Sequence, residues 1–211
     1  QPSGEIVASA SGDKTLHLWN GATSKTLRMI KSHKFPVGAV DFTADGKILL
    51  SVCKQNIVLT LITDGACLLK VSPTNLVVNY RFDATVKFTA AAFCPQTSGD
   101  DFLHISVGTS AKTFSLHSVC NLPSDDDKQT GPHSPHSPDK AAPLDLTSIT
   151  DSSHSDQTSS SNSSAVGMNG TCLSKSLWDT VMRNAATVIA SGQTSMLVGD
   201  QGGNIMKLGI R

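Results

Sequence analysis

The chain has 211 residues, 17 basic and 17 acidic, and a formal net charge of zero, which argues against a whole-surface attraction for nucleic acid or anionic membrane. Aromatic residues make up only 5%, so an all-β core here must rest on aliphatic side chains. No apolar run approaches the ~20 residues that a membrane-spanning helix needs.

Short apolar and β-branched runs broken by turn residues predict strands from about residue 5 to 119. The first two cover 5–11 and 15–19, joined by Gly12, Asp13 and Lys14. On the second, Leu16 and Leu18 share one face and His17 and Trp19 the other, as a period of two demands. A strand over 26–30 closes this unit. Strands over 37–42 and 47–52 flank Ala44, Asp45 and Gly46, a hairpin signal because glycine reaches positive φ at little cost. Strands over 56–61 and 66–71 complete a four-strand unit around Thr63, Asp64 and Gly65. Residues 9–20 and 50–61 lie over each other about 41 residues apart, a spacing typical of propeller blades.

A third unit is predicted from strands over 86–93, 102–107 and 112–116, with a longer connection over 94–101. From 121 to 176 the sequence turns Ser-rich and Pro-containing and loses any apolar period, so a disordered insertion is expected there. A helical turn is expected over 177–183, then strands over 187–190, 194–198 and 204–208, with Asp200, Gln201, Gly202 and Gly203 at a turn. This divides the chain into strand units over 1–120, an insertion over 121–176 and final strands over 177–211.

The run from Ile6 to Asn20, with Ser32 and His33 after it and then Val40 to Lys47, resembles the WD repeat. The resemblance implies an all-β fold: a partial WD-repeat β-propeller of about three to four antiparallel blades, interrupted by the long insertion. Blades of that family are often pinned by a hydrogen-bonded set of Trp, Ser or Thr, Asp and His. Asp13, Trp19 and one of Ser9 or Ser11 match the set in the first repeat. His33 belongs to the second repeat, where Lys54 replaces the Asp and Thr60 the Trp, so apolar packing is expected to hold that blade instead. Without 121–176 roughly 155 residues remain, fewer than four blades at ~40–45 residues each. The chain therefore reads as the C-terminal part of a larger propeller, with upstream sequence supplying the rest.

No nucleophile stands in a catalytic context, and the glycines near 199–203 lack phosphate-loop spacing. Neither an enzyme nor a cofactor site is expected. The five cysteines, Cys53, Cys67, Cys94, Cys120 and Cys172, are odd in number and lack a Cys-x-x-Cys pair, which points away from a disulfide framework or zinc site and toward a reducing compartment, cytoplasmic or nuclear. No signal peptide is visible at the front of the chain. Arg28, Lys31, His33 and Lys34 are expected to form a modest basic patch.

Within the insertion, Ser134 and Ser137 precede prolines and fit proline-directed phosphorylation, which would add about −1.5 to −2 charge. Pro143, Leu144, Asp145, Leu146 and Thr147 resemble the short motif that recruits C-terminal-binding-protein corepressors, an extended strand that adds to a partner's edge. Asn162 and Asn169 head glycosylation acceptor triplets. The expected function is a non-catalytic protein-interaction scaffold with other proteins as partners and no membrane. Two alternatives stand beside it. One is a sensor propeller of a larger NACHT-type ATPase, since residues 199–205 are similar to the last blade of such propellers. The other is an RNA-binding propeller.

Overall fold

The first sheet of the chain consists of β1 (Ile6–Ala10), β2 (Leu16–Asn20) and β3 (Thr26–Ile30). The second runs β4 (Val37–Phe42), β5 (Ile48–Cys53), β6 (Asn56–Leu61) and β7 (Cys67–Val71) in sequence order. The third contains β8 (Phe88–Phe93), β9 (Leu103–Thr109), β10 (Thr113–Cys120), β11 (Ser163–Val166) and β12 (Cys172–Val181), ordered β8-β9-β10-β12-β11. The fourth is β13 (Ala186–Ser191), β14 (Ser195–Asp200) and β15 (Ile205–Gly209). Every neighbouring pair is antiparallel. This computed structural model describes residues 1–73, 76, 85–94, 103–122, 163–166, 171–192 and 194–209, and its strands lie in one unit, Gln1–Leu122 with Asn162–Arg211.

The period of two sets how the sheets stack. On β5, Leu49 packs with Leu16, Leu18 and Ile30 of the first sheet. Its neighbours Ile48, Leu50 and Val52 point the other way, toward Phe88, Phe93, Ile105 and Val107 of the third. Hence all six residues of β5 are buried: the strand is covered on both faces. A third cluster joins Cys94 and Phe114 of the third sheet to Ala186, Met196 and Val198 of the fourth. Each sheet thus packs on the next in chain order, and no cluster among the described residues joins the first to the fourth. The described residues are all-β, and their four antiparallel sheets are consistent with the blades of a partial propeller.

The outward faces of the two end blades stay uncovered, with Val7 and Met29 exposed on one and Val188, Leu197 and Ile205 on the other. The turn between the second and third strands of a full blade repeats as well. Lys14, Lys112 and Gly203 take the same place in the first, third and fourth blades, and all three have positive φ (77°, 62° and 80°). That conformation costs an L-residue about 1–2 kcal/mol, so its recurrence at two lysines shows that the turn geometry is imposed by the flanking pairing.

Gly108 on β9 marks a close approach of the third and fourth blades. A Cβ built there would lie 2.8 Å from the Ala186 Cβ. Gly108→Ala is therefore expected to lower the unfolding free energy by about 1–3 kcal/mol through overpacking, read from the denaturation midpoint. A change under about 0.5 kcal/mol would mean that the third and fourth blades are not in contact there.

Two sequence expectations need correction. Residues 177–183 do not form a helical turn; Leu177 to Val181 continue β12, which pairs with β10 from Thr113↔Val181 to Cys120↔Cys172. Leu177 and Val181 share one face of the strand and are exposed, while Trp178 on the other face lies edge-on to the buried Phe114 with ring centroids 6.2 Å apart. The strand pattern also resumes before residue 177, since β11 and the first half of β12 fall within 121–176. Ser134, Ser137 and the segment Pro143, Leu144, Asp145, Leu146 and Thr147 lie outside the described residues.

Candidate functional site

The residues read as blade pins lie in two separate hydrogen-bonded groups. In the first blade Trp19 Nε1 donates to Ser9 Oγ at 2.9 Å, and its ring stacks on His17 with centroids 5.5 Å apart. Of the two candidate serines, Ser9 therefore meets the indole, while Ser11 Oγ accepts from the Asp13 N–H. Asp13 serves its own turn. Its Oδ1 accepts from the Thr15 N–H and hydroxyl at 2.9 and 2.6 Å, and these bonds hold its carboxyl below the usual range.

The second blade keeps more polar bonding than the loss of its Asp and Trp suggests, which corrects the expectation of apolar packing alone. His33 is buried, and its Nε2 lies 2.8 Å from Ser51 Oγ. The Ser51 hydroxyl in turn reaches the Val58 carbonyl at 3.3 Å, so Nε2 carries the hydrogen and donates. That leaves His33 Nδ1 a buried acceptor with no partner, and Thr60 Oγ1 is likewise unpartnered. These are the two ends of the set, where Lys54 and Thr60 replace Asp and Trp. Burial, with the Lys70 charge second, pushes the His33 pKa down to about 4, so the ring is neutral at pH 7.

Asp41, which sequence reading passed over, ties blades together. Its Oδ2 accepts from the Phe93 N–H of the third blade at 2.9 Å, and its Oδ1 from the Phe42 N–H at 2.9 Å. Burial outweighs these bonds and raises its pKa. The alternation of β4 gives one signal, an acidic residue among apolar ones, but the partner is 52 positions away.

Strand direction sorts every connection onto one of two rims. The turns at 11–15, 54–55, 110–112 and 201–204 share a rim with the crossings between blades at 31–36, 87 and 182–185. Backbone bonds show the adjacency: Val37 N–H to Ser11, Phe88 N–H to Lys54, Ser110 N–H to Lys87, Met182 N–H to Lys112 and Gln201 N–H to Ala185. Lys14, Lys31, Lys34 and Lys54 are exposed on this rim, as are Lys87, Lys112 and Arg183. Its described acidic residues are Asp13 and Asp200, and Asp200 is bonded to Gly202 and Asn204 of its own turn. The rim is thus basic on a chain of zero net charge.

This redraws the expected basic patch. Lys31 and Lys34 belong to the rim, but His33 is buried and neutral. Arg28 reaches the opposite rim, where its guanidinium binds the Thr63 and Asp64 carbonyls. Among the described residues no group of three or more His, Cys, Asp or Glu is placed to hold a metal, and no helix is long and apolar enough to cross a membrane.

No curated protein matches the chain. The family model described as WD domain, G-beta repeat, matches residues 1–20 and 24–59, the first blade and the inner strands of the second. WD repeats in general are non-catalytic and serve as platforms for other proteins. The match covers about a quarter of the chain, and the four antiparallel sheets are consistent with blades of that repeat.

Proposed function

We propose that this chain is a non-catalytic protein-interaction scaffold and that its recognition surface is the basic rim, which takes acidic segments of partner proteins. The observation that carries the reading is the charge asymmetry: seven exposed cations at one rim, two acidic residues engaged in their own turns, and no net charge on the chain. Turns held between rigid strands keep these cations in fixed relation, which lowers the entropy lost on binding. Further blades supplied by upstream sequence would cover the apolar outer faces of the first and fourth blades. Phosphorylation of Ser134 and Ser137, docking through residues 143–147 and an intracellular location belong to the same proposal.

The test is binding of a fluorescent glutamate-rich peptide to the full chain at several salt concentrations. Lys54→Glu combined with Lys112→Glu is expected to weaken binding at least tenfold, and Lys25→Glu on the opposite rim to leave it unchanged. Affinity should fall with salt, because the contacts are exposed charges. Equal binding by all three proteins would contradict the reading. So would preference for single-stranded RNA over the peptide, with the steep salt slope of phosphate contacts.

A further inference from the structure

Cys120 ends β10 and Cys172 begins β12, and the two are direct register partners at the end of that ladder. Directly opposed residues of an antiparallel pair have Cα atoms about 4.5–5.5 Å apart, inside the ~4.4–6.8 Å that a disulfide spans. The Cys120 thiol is near enough to raise the pKa of Cys172. Both residues are half-buried, whereas Cys53 and Cys94 are buried. No other two cysteines among the described residues are register partners.

The surroundings hold this geometry in place. Val119↔Leu173 continues the pairing inward, and both side chains are buried. On the outer side the Thr171 hydroxyl donates to the Asn121 carbonyl at 3.1 Å. The two thiols therefore stand at the mouth of the stretch 121–171, on the rim opposite the basic one, with the backbone fixed on both sides of them.

We propose that Cys120 and Cys172 are a modification site, forming a reversible disulfide by exchange with a low-molecular-weight disulfide of the glutathione class. One cysteine thiolate attacks a sulfur of the small disulfide, forming a mixed disulfide and releasing one small thiol. The neighbouring cysteine loses its proton to solvent and attacks the protein-side sulfur, releasing the second small thiol. Two protein thiols are thus oxidised to one disulfide as one small disulfide is reduced to two thiols. The bond ties together the two ends of 121–171 and leaves the sheet pairing intact, since the residues it joins are already paired. Burial, and then the adjacent Cys120 thiol, raise the Cys172 pKa; exchange requires the thiolate, so the reaction quickens as pH rises above neutral. The inference stands independently of the basic-rim reading.

The experiment incubates the full chain with glutathione disulfide and reduced glutathione at several ratios. Free thiols are then trapped under native conditions, and the digest is read by mass spectrometry. The expected product is a single Cys120–Cys172 link with the loss of two hydrogens per chain, formed faster at pH 8.5 than at pH 7 and reversed by dithiothreitol. Cys120→Ser and Cys172→Ser should each abolish it. The same incubation in 6 M urea, which serves as a control requiring no variant to fold, should lose the preference and give mixed pairings. Two results overturn the proposal: a stable glutathione adduct on either residue without the link, or pairings as scrambled in the native chain as in urea.

Discussion

Phe114→Ala lowers the unfolding free energy by about 3–5 kcal/mol, the largest loss expected from one truncation in the third and fourth blades. Phe114 is fully buried and clusters with Cys94, Ala186, Met196 and Val198, so it is covered by the next blade rather than by its own sheet. Truncation removes its transfer free energy and leaves a void that two paired sheets close only partly. Ile205→Ala, at a residue 75% exposed on the outer face of the fourth blade, should cost less than about 0.5 kcal/mol. Urea denaturation of the two variants reads the contrast. Similar small losses for both would mean that the fourth blade does not pack on the third.

Acidification destabilises the fold through His33, by about 2–3 kcal/mol between pH 6.5 and 4. The folded-state pKa is depressed to about 4 from an ordinary 6.5, so the unfolded chain takes up the proton first. The contribution is therefore fully present above pH 6.5 and is lost as pH falls toward 4. The cause is structural: Nε2 is committed to Ser51, and a proton on Nδ1 would find no acceptor. Asp41, whose pKa is raised, acts with the opposite sign, since its contribution is lost as pH rises. The clean readout is therefore the difference between the wild type and His33→Gln. That difference should shrink from pH 7.5 to 4.5, because only in the wild type does proton uptake by this ring favour the unfolded chain. A constant difference across that range would show His33 to be solvated or already paired.

Much of this architecture was legible in the residues. Strands β3, β4 and β6 begin and end where turn residues and alternation place them, because their pairing is local and β4 and β6 adjoin turns that carry Asp and Gly. The residues of β12 were not, because its apolar Leu177, Trp178 and Val181 fall on both faces and give no period of two. The repeat matches Trp19 to one of Ser9 or Ser11; that Ser9 is the partner needed coordinates. The bond between His33 and Ser51 and the orphaned Nδ1 needed coordinates, since 18 positions separate the partners. The Cys120–Cys172 pair is invisible to spacing rules for the same reason: 51 residues lie between two neighbours on a ladder. The basic rim shows only after strand direction sorts the turns, because its cations are scattered singly along the chain.

Successive blades packed face to face in chain order are what the rim, the pins and the stability contrasts all depend on. Nuclear Overhauser contacts of the Ala186 methyl group test that packing most directly. Contacts to the Gly108 α-protons and the Phe114 ring are expected, since Ala186 lies against Gly108 and shares a cluster with Phe114. An Ala186 methyl group that meets only protons of β13 and β14 would contradict it.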